Sequence, residues 1–399
     1  MHYQNNMKTI WFAGGCFWGT EHYMSQFDGV VGTQTGYANG HLPDPTYQQV
    51  YTDQTGHVET VEVVYDDEKI SLATLCRLFF RSIDPFMKDR QGDDCGTRYR
   101  TGIYWSDEHD GEVVAEVYSE IQSKYDSPMV VEKCPLECFY PAEEYHQDYL
   151  VRNPDGYCHL SLSTLRFAKR YSQVLTQLRD ASDPEKKAVL PRFFKTGPGE
   201  YGEGDRFLGV AVPFIRKVAK HFKDSTYEVL EALLESEWHE CRLCALLVLI
   251  EKYKSEPEDT VRFYLEHLDG INNWDLVDLS APYILGDYLS GREERNVLYE
   301  LAESPDMWRQ RISVVSTLML IRRGSFDDTL KLAQIFLGTR HDLMQKAVGW
   351  MLREVGKRNR GLLVTFLEEY RHQMPRTMLR YAIEKFTSEE RKYFLQPAR

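Results

Sequence analysis

The chain has 399 residues, 42% of them hydrophobic, and a formal net charge of −13. This length exceeds one ordinary hydrophobic core and predicts two domains of about 100 to 200 residues each. Eight cysteines at irregular spacings exclude the dense disulfide framework of a small secreted domain. The longest apolar run, at residues 244 to 250, is too short to cross a membrane, and no signal peptide is visible. We therefore expect a cytoplasmic protein without membrane association.

Acidity is concentrated in the first part of the chain. Residues 1 to 170 hold 14 Lys and Arg against 26 Asp and Glu, whereas residues 171 to 399 hold 34 against 35. The near-neutral second part can therefore gather a basic surface for phosphates, which the net charge of the whole chain conceals.

The first part of the chain alternates between two periodicities. Alternating apolar residues predict strands at 8 to 13 and 58 to 66. A period of 3.6 residues predicts helices at 16 to 27, 71 to 81 and 108 to 124. Such interleaving of strands and helices indicates an α+β domain, which we place at residues 1 to 165.

From about residue 172 onward the pattern is helical, and no segment has the alternation of a strand. Apolar stripes recur in paired helices about every 40 residues, which is typical of an all-α, HEAT-like solenoid. We place this second domain at residues 172 to 399. Three predicted capping boxes mark helix starts: Ser225 with Glu228, Ser255 with Glu258, and Thr387 with Glu390.

Cys16 is the first candidate for a reactive group. It follows Gly14 and Gly15, where the first predicted strand gives way to a helix. The free backbone N–H groups and the dipole at a helix N-terminus favour a thiolate there. Phe17 and Trp18 beside it can form an apolar pocket for a small methyl-bearing group. A buried structural cysteine is the alternative interpretation.

Glu59 is the second candidate. Strict alternation puts it on the same strand face as Val61 and Val63, the face that should point into the protein. Burial would raise the pKa of this carboxyl and make it a proton donor. A solvent-exposed glutamate at the strand edge is the alternative.

Ordered motifs over residues 8 to 160 resemble the A-type peptide-methionine (S)-S-oxide reductase family. They comprise Gly15-Cys16-Phe17-Trp18-Gly19, Gly36-Tyr37, Asp44-Pro45-Thr46-Tyr47, Gly56-His57-Val58-Glu59, residues 91 to 100 with Asp94, Cys95 and Tyr99, His146-Gln147, and Asn153-Pro154-Asp155-Gly156-Tyr157-Cys158. The resemblance implies an α+β fold with a ferredoxin-like core. It also implies reduction of methionine S-sulfoxide, free or in proteins.

The resemblance assigns roles around the sulfoxide oxygen and sulfur. It implies that Cys16 is the nucleophile that attacks the sulfur and becomes a sulfenic acid. Glu59, Tyr47 and Tyr99 match the positions that protonate and hold the oxygen, and Asp94 matches a polar contact in the same site.

The remaining roles concern substrate binding and regeneration. Phe17 and Trp18 match the pocket for the substrate methyl group. Cys158 matches the resolving cysteine, which would form a disulfide for thioredoxin, or dithiothreitol in vitro, to reduce. The further recycling cysteine of some members is replaced here by His159-Leu160-Ser161, so we expect a single-disulfide relay. Neither a bound cofactor nor a metal is expected.

Other uses of these side chains remain open. A cysteine hydrolase with Cys16 as nucleophile and His57 as base is the rival for the first domain. Cys134 and Cys138 have no role in the resembling family, and we expect them to be structural.

The second domain contains aromatic and charged residues at helical spacing. Trp350 lies among cations on the side of its helix opposite the apolar residues. Trp274 and Asp278 are four residues apart and share one helical face. Arg311 is a candidate partner for a phosphate. Packing in the helical core is the alternative role for both tryptophans.

Motifs between residues 172 and 390 resemble the HEAT-like-repeat DNA alkylation repair family. They comprise residues 194 to 204, Asn273-Trp274-Asp275-Leu276-Val277-Asp278, Trp308-Arg309-Gln310-Arg311, and Lys346-Ala347-Val348-Gly349-Trp350 with Arg353-Glu354. The resemblance implies that Trp274, Asp278 and Trp350 surround a lesion nucleotide and that Arg311 contacts the DNA backbone. It implies glycosylase release of 3-methyl or 7-methyl purines as a second activity. A non-catalytic solenoid that binds DNA or protein is the alternative.

Overall fold

The computed structural model describes residues 6 to 396. The chain divides into two compact units between Gln177 and Leu178.

The first unit contains strands and helices in alternation. Its strands are β1 (Met7–Gly14), β2 (Val30–Ala38), β3 (Val58–Asp66), β4 (Arg90–Gln91), β5 (Asp94–Cys95), β6 (Thr101–Trp105), β7 (Glu132–Pro135) and β8 (Phe139–Pro141). Its helices are α1 (Phe17–Met24), α2 (Tyr47–Val50), α3 (Leu72–Phe80), α4 (Glu108–Gln122) and α5 (Tyr149–Arg152), followed by α6 (Leu162–Asp180), in which the boundary between the units falls.

A six-stranded sheet in the order β7-β6-β1-β3-β2-β8 forms the centre of the first unit. All neighbouring strands are antiparallel except β6 and β7. The four inner strands, with α1 and α3 as crossovers, have the β-α-β-β-α-β order of a ferredoxin-like core. The expected α+β fold is thereby confirmed, as are the predicted strands and helices of this domain.

The sheet positions the site through β1 and β3. The apolar residues of β1 and β3 that face the core are fully buried, among them Ile10, Phe12, Val61 and Val63. β1 then ends at a sharp turn, where Gly15 has a φ of +86°, a conformation that favours glycine. Cys16 follows that turn directly.

The second unit is all-helical in its described residues, as expected. It contains α7 (Pro184–Phe194), α8 (Val212–His221), α9 (Tyr227–Leu234), α10 (His239–Tyr253), α11 (Pro257–Glu266), α12 (Trp274–Ser280), α13 (Asp287–Ser290), α14 (Asn296–Glu303), α15 (Met307–Arg322), α16 (Asp327–Ile335), α17 (Asp342–Arg358), α18 (Arg360–Tyr370), α19 (Arg376–Ala382) and α20 (Ser388–Phe394). A π-helical turn, Pro282–Gly286, joins α12 to α13.

Only one of the three predicted capping boxes is present. Thr387 and Glu390 bond reciprocally at the start of α20. The boxes at Ser225 and Ser255 are wrong, because these hydroxyls donate backward to the carbonyls of Phe222 and Lys252. Each serine therefore closes the preceding turn, and the next helix begins one residue later than the box requires.

Among residues 6 to 396, no helix combines the length and the apolar character that crossing a bilayer requires.

Candidate functional site

Cys16 lies at the start of α1, beside the carboxyl group of Glu59 on β3. The backbone N–H groups of Trp18 and Gly19 lower the pKa of its thiol. The N–H of Phe17, the first residue of the helix, donates to Oε2 of Glu59 at 3.0 Å. The first turn of one helix therefore holds both the thiol and the acid.

Burial decides the protonation state of Cys16. The side chain is 5% exposed, and desolvation raises the pKa of the thiol well above its ordinary value. The negative charges of Glu59 and Asp94 raise it further, and the two N–H donors oppose the shift without reversing it. The expectation that the helix N-terminus leaves Cys16 ionised is therefore wrong for the free protein, in which the group is a neutral thiol.

Glu59 is buried on the inner face of β3, as its alternation with Val61 and Val63 predicts. Burial raises the pKa of this carboxyl to about 8, although the Phe17 N–H and the charge of Arg98 favour its ionised form. At neutral pH the side chain is therefore a carboxylic acid that can donate a proton. The predicted direction of the pKa shift is confirmed.

Two tyrosines and an aspartate complete the polar side of the site. Burial and then the charge of Glu59 raise the pKa of Tyr47 to about 12 and that of Tyr99 above its ordinary value. Burial and then Asp94 raise the pKa of Tyr157, a residue to which the sequence assigned no role. Oδ2 of Asp94 is buried and has no hydrogen-bond partner in the described residues. The structure thus brings Tyr47, Tyr99 and Asp94 together around the acid and the thiol.

An aromatic cup adjoins this polar side. Phe17 is buried, and Trp18 stacks on Tyr149 with ring centroids 3.8 Å apart. Nε1 of Trp18 donates to Nδ1 of His146 at 3.1 Å. The His146 ring also lies against Phe17 and Tyr47, at 5.0 and 4.6 Å between centroids. Phe17 and Trp18 therefore lie side by side, with ring centroids 6.4 Å apart, and their role as a pocket for the substrate methyl group stays a prediction.

Three side chains that hold the site in place had no role predicted from the sequence. His146 orients Trp18 by accepting the hydrogen bond from its indole. Glu143 accepts from the Tyr37 hydroxyl and from the backbone N–H of Tyr47, both at 2.8 Å. Arg98 bonds Asp53 at 2.7 Å. His146 and Arg98 lie within the motifs quoted for the family resemblance, which was the available signal; nothing in the sequence marked Glu143.

Cys158 and His159 pack against the first turn of α1. A Cβ atom placed on Gly19 would lie 3.3 Å from the sulfur of Cys158 and 2.7 Å from Nδ1 of His159. Gly19 therefore admits the segment that carries Cys158 to the helix end that holds Cys16. Cys158 is a free, half-buried thiol whose pKa is raised by desolvation.

His57 does not serve Cys16. Its buried ring packs against Gly40 and Tyr140, and burial lowers its pKa to about 4. The histidine with a ring nitrogen within 4.8 Å of the Cys16 sulfur is His159. The geometry therefore gives no support to a hydrolase built on Cys16 and His57.

Cys134 and Cys138 make structural contacts. The amide of Asn39 donates to the Cys134 sulfur at 3.7 Å, and the Cys138 thiol donates to the carbonyl of Gly40 at 3.3 Å. Both contacts tie β7 and β8 to the loop after β2.

In the second unit, Asp278 and Arg311 form an ion pair in which the arginine is buried and the aspartate side chain is 22% exposed. Nε and Nη2 of Arg311 donate to the two carboxylate oxygens at 2.9 and 2.8 Å. Arg311 is 4% exposed, and its Nη1 donates to the carbonyl of Leu343. Burial raises the pKa of Asp278, and Arg311 opposes the shift. The Arg311 guanidinium is buried and bonded to Asp278. Arg311 therefore does not have the surface position that the expected contact with a DNA phosphate requires.

Trp274 belongs to an aromatic cluster at the start of α12. Its ring stacks on Phe194 at 5.6 Å and meets the edge of Phe193, an exposed side chain, at 6.0 Å. Tyr201 shares a hydrogen bond with Trp274 and interacts electrostatically with Lys346 of α17.

Trp350 lies on the half-buried side of α17, whose opposite side is fully buried. This confirms the helical face predicted for it. No hydrogen bond or ring contact within residues 6 to 396 joins Trp350 to Trp274, Asp278 or Arg311.

Comparison with known proteins gives a family for each unit. A model of the peptide methionine sulfoxide reductase family matches residues 8 to 177, and a model of the DNA alkylation repair enzyme family matches residues 174 to 386. The peptide methionine sulfoxide reductase MsrA of Clostridium acetobutylicum is 51% identical over 160 residues, which are 40% of this chain and 99% of that relative.

Two solved structures show further similarity. Mxr1 from Saccharomyces cerevisiae in reduced form is 36% identical, with a TM-score of 0.38, over 41% of this chain and 95% of that one. A predicted DNA alkylation repair enzyme from Enterococcus faecalis is 17% identical, with a TM-score of 0.42, over 52% of this chain and 97% of that one. By the family models and the Clostridium relative, the chain belongs through its first part to the peptide methionine sulfoxide reductase family, whose oxidoreductase activity that part carries, and through its second part to the DNA alkylation repair enzyme family.

Proposed function

We propose that Cys16 attacks the sulfur of methionine S-sulfoxide while Glu59 protonates the departing oxygen. The observation that carries the proposal is the single helix turn shared by a neutral thiol and a neutral carboxylic acid. The Phe17 N–H of this turn donates to the Glu59 carboxyl at 3.0 Å, and the next two N–H groups favour the ionised form of Cys16.

The step balances without an outside proton. The thiol of Cys16 gives up its proton as its sulfur bonds to the substrate sulfur, and Glu59 passes a proton to the oxygen. The bond between the two sulfurs and the sulfur–oxygen bond of the substrate then break as the oxygen bonds to the Cys16 sulfur, which yields methionine and a sulfenic acid; the methionine sulfur is reduced and the cysteine sulfur oxidised. Glu59 then takes up the proton that the thiol released.

Placement of the substrate follows from the two sides of the site. The sulfoxide oxygen binds on the hydroxyl side, with Tyr47, Tyr99 and Asp94, and the methyl group enters the cup of Phe17 and Trp18. A sulfoxide of the opposite hand would exchange oxygen and methyl group, and would place the polar atom against aromatic carbon. The site therefore distinguishes the two epimers, and the family similarity supports the S epimer, free or in proteins, as the one accepted.

Regeneration uses Cys158. Its thiol displaces water from the sulfenic acid of Cys16 to form a disulfide, and a dithiol such as thioredoxin, or dithiothreitol in vitro, reduces that disulfide. The approach of the Cys158 segment to Gly19 supports this relay.

The relay is tested by separating single from multiple turnovers. Without reductant, the Cys158→Ser variant should convert one equivalent of methionine S-sulfoxide and hold a sulfenic acid that a carbon nucleophile traps on Cys16. With thioredoxin its multiple turnover should fall to background, whereas Cys134→Ser should behave as the parent protein. Undiminished thioredoxin-driven turnover in Cys158→Ser would refute the relay, and conversion by Cys16→Ser would refute the nucleophile.

We further propose that the second domain binds duplex DNA and releases cationic alkylated purines. Asp278 supports this because its paired carboxylate lies one helical turn from Trp274, which can stack on a base. A fixed negative charge beside the sugar would stabilise the cation that forms when a 3-methyl or 7-methyl purine departs.

The full-length chain provides the test. Release of methylated purine from alkylated duplex DNA, lost in Asp278→Asn while DNA affinity persists, is the expected result. Affinity for DNA should fall steeply with salt, because phosphate contacts release counterions. Binding of DNA without release would leave a binding module, and neither activity would favour a protein-binding solenoid.

A further inference from the structure

We propose that Cys16, Asp94 and His159 of the reduced protein form a binding site for a thiophilic divalent cation, with Zn²⁺ as the expected ion. The three side chains come from different segments of the chain: the start of α1, β5, and the residue after Cys158.

The three candidate ligand atoms are close together. The Cys16 sulfur, a ring nitrogen of His159 and a carboxylate oxygen of Asp94 all lie within 4.8 Å of one another. Among residues 6 to 396 this is the one group of three cysteine, histidine or acidic side chains that meets this limit. In a tetrahedral zinc site, bonds of about 2.0 to 2.3 Å put ligand atoms about 3.5 Å apart. Side-chain rotations that close the group by about 1 Å would therefore complete the site.

The tautomer of His159 suits metal binding. Nε2 lies 2.9 Å from the carbonyl oxygen of Gly14, so this nitrogen carries the proton and donates it. Nδ1 then has a free lone pair, and it is a buried atom without a hydrogen-bond partner. A backbone carbonyl that accepts from the far ring nitrogen is the usual support of a metal-bound histidine.

Asp94 supplies a second unpartnered atom at the same place. Its Oδ2 is buried and has no hydrogen-bond partner in the described residues. Buried polar atoms are nearly always hydrogen-bonded, so two such exceptions beside one thiol point to a ligand that the protein atoms do not supply. A cation satisfies both atoms, whereas an anion would face the aspartate charge.

The ligand set favours zinc over harder ions. Thiolate and imidazole select Zn²⁺ over Mg²⁺ or Ca²⁺, which prefer oxygen. Binding must displace the thiol proton of Cys16, so affinity should rise with pH. Three protein ligands leave a fourth position for water.

Occupation of this site would control the reductase; this consequence rests on the proposed role of Cys16. A sulfur whose electron pair is bound to Zn²⁺ cannot attack a sulfoxide. The disulfide form lacks the thiolate ligand, so only the reduced protein would bind the ion. Zn²⁺ would therefore store the reduced enzyme in an inactive, protected form.

The experiment uses Co²⁺ as a spectroscopic probe of the reduced, full-length chain. Binding at Cys16 should produce a sulfur-to-cobalt charge-transfer absorption, which one equivalent of Zn²⁺ removes. His159→Gln and Asp94→Asn should each weaken Co²⁺ binding by about tenfold or more. His57→Gln is the matched control, because His57 is also buried with unpartnered ring nitrogens but lies outside the group. A charge-transfer band that persists in Cys16→Ser, or equal affinity in His159→Gln, would overturn the site.

A second measurement needs no variant. Zn²⁺ should slow alkylation of Cys16 by iodoacetamide in the parent protein by about tenfold or more, as mapped by mass spectrometry, and leave Cys95, an exposed thiol, unchanged. Unchanged alkylation of Cys16 would overturn the inference even if every variant misfolded. Neither readout uses a sulfoxide, so reductase activity without metal binding refutes only this inference, and metal binding without reductase activity refutes only the proposed function.

Discussion

The candidate site of each domain holds a carboxyl group, fully buried in Glu59 and 22% exposed in Asp278, and the two are stabilised in opposite ways. Glu59 is 1% exposed and accepts a backbone N–H, with no guanidinium bonded to it in the described residues. Asp278 is held by two hydrogen bonds from a buried guanidinium, that of Arg311. The cost of burying a charge is avoided in the first case by a proton and offset in the second by a countercharge.

This difference determines what each group can do. A carboxyl with a pKa of about 8 keeps its proton at neutral pH and can donate it to an oxygen that gains charge. A carboxylate in a bidentate ion pair retains charge more readily, and can face a cation. The first arrangement suits reduction of a sulfoxide, and the second suits loss of a positively charged base.

Removal of the Glu59 proton should have the largest effect. In Glu59→Gln the amide keeps the shape of the side chain but is not an acid, so the rate of sulfenic acid formation should fall by about 10² to 10⁴-fold. In the parent protein the same rate should fall as pH rises above about 8, because Glu59 then loses its proton. Single-turnover conversion of methionine S-sulfoxide measures both.

Glu62→Gln is the control for this prediction, because Glu62 lies on the same strand but bonds the indole of Trp11 on the other side of the sheet. Its single-turnover rate should match that of the parent protein. A Glu59→Gln variant that keeps the parent rate would show that the proton comes from elsewhere.

Breaking the ion pair of the second domain should have the next largest effect. Arg311→Met leaves the carboxylate of Asp278, whose side chain is only 22% exposed, without its partner, and should lower the free energy of unfolding of this domain by about 1 to 3 kcal/mol. Arg309→Met, on the same helix, breaks a pair with Asp269, whose side chain is 89% exposed, and should cost about 0 to 1 kcal/mol.

Hydrogen exchange of the peptide that covers Met307–Arg322, followed through urea denaturation, compares the two variants in the full chain. Equal losses would mean that the Asp278 pair is as well solvated as a surface pair, which its burial does not allow.

Much of the first site could be predicted because its determinants are local. The glycines before Cys16 mark the end of a strand, and the alternation around Glu59 fixes which face it occupies. Where local signals are weak, the sequence analysis predicted no element. The strand β2 (Val30–Ala38) contains Gly32 and Gly36 and a bulge near its start, and it exists because β3 and β8 pair with it from distant parts of the chain.

Charge states and ion pairs were the less predictable part of both sites. The helix N-terminus at Cys16 is visible in the sequence, but the desolvation that outweighs it depends on the whole fold. Arg311 pairs with a residue 33 positions earlier, and Glu143 bonds residues about 100 positions earlier, so neither contact has a local pattern. Spacing identifies which residues are present, whereas burial decides whether they are charged.

The raised pKa of Glu59 also predicts how the stability of the first domain depends on pH. The Glu59 carboxyl has a pKa of about 8 when folded, against 4.5 as its ordinary value. Between these values the unfolded chain has lost the proton and the folded chain has kept it, so stability falls as pH rises, by about 1.4 kcal/mol per pH unit. Glu59→Gln lacks this titrating group, so its free energy of unfolding should rise relative to that of the parent protein as pH increases from 4.5 to about 8. Urea denaturation detected by alkylation of buried Cys76 measures it, and parallel pH curves would contradict the raised pKa.

The smallest effect should come from the rim of the aromatic cup. Trp18→Phe removes the donor to His146 but keeps an aromatic ring over Tyr149, so only one half-buried hydrogen bond of about 0.5 to 1.5 kcal/mol is lost. KM for methionine S-sulfoxide should rise by up to about tenfold while kcat changes little, since the bond shapes the pocket equally before and during reaction. Trp11→Phe loses an indole hydrogen bond outside the cup and should leave KM unchanged. A fall in kcat in Trp18→Phe alone would mean that the indole acts on the reacting sulfur, and the division of the site into an aromatic binding side and an acidic proton-donating side would then be wrong.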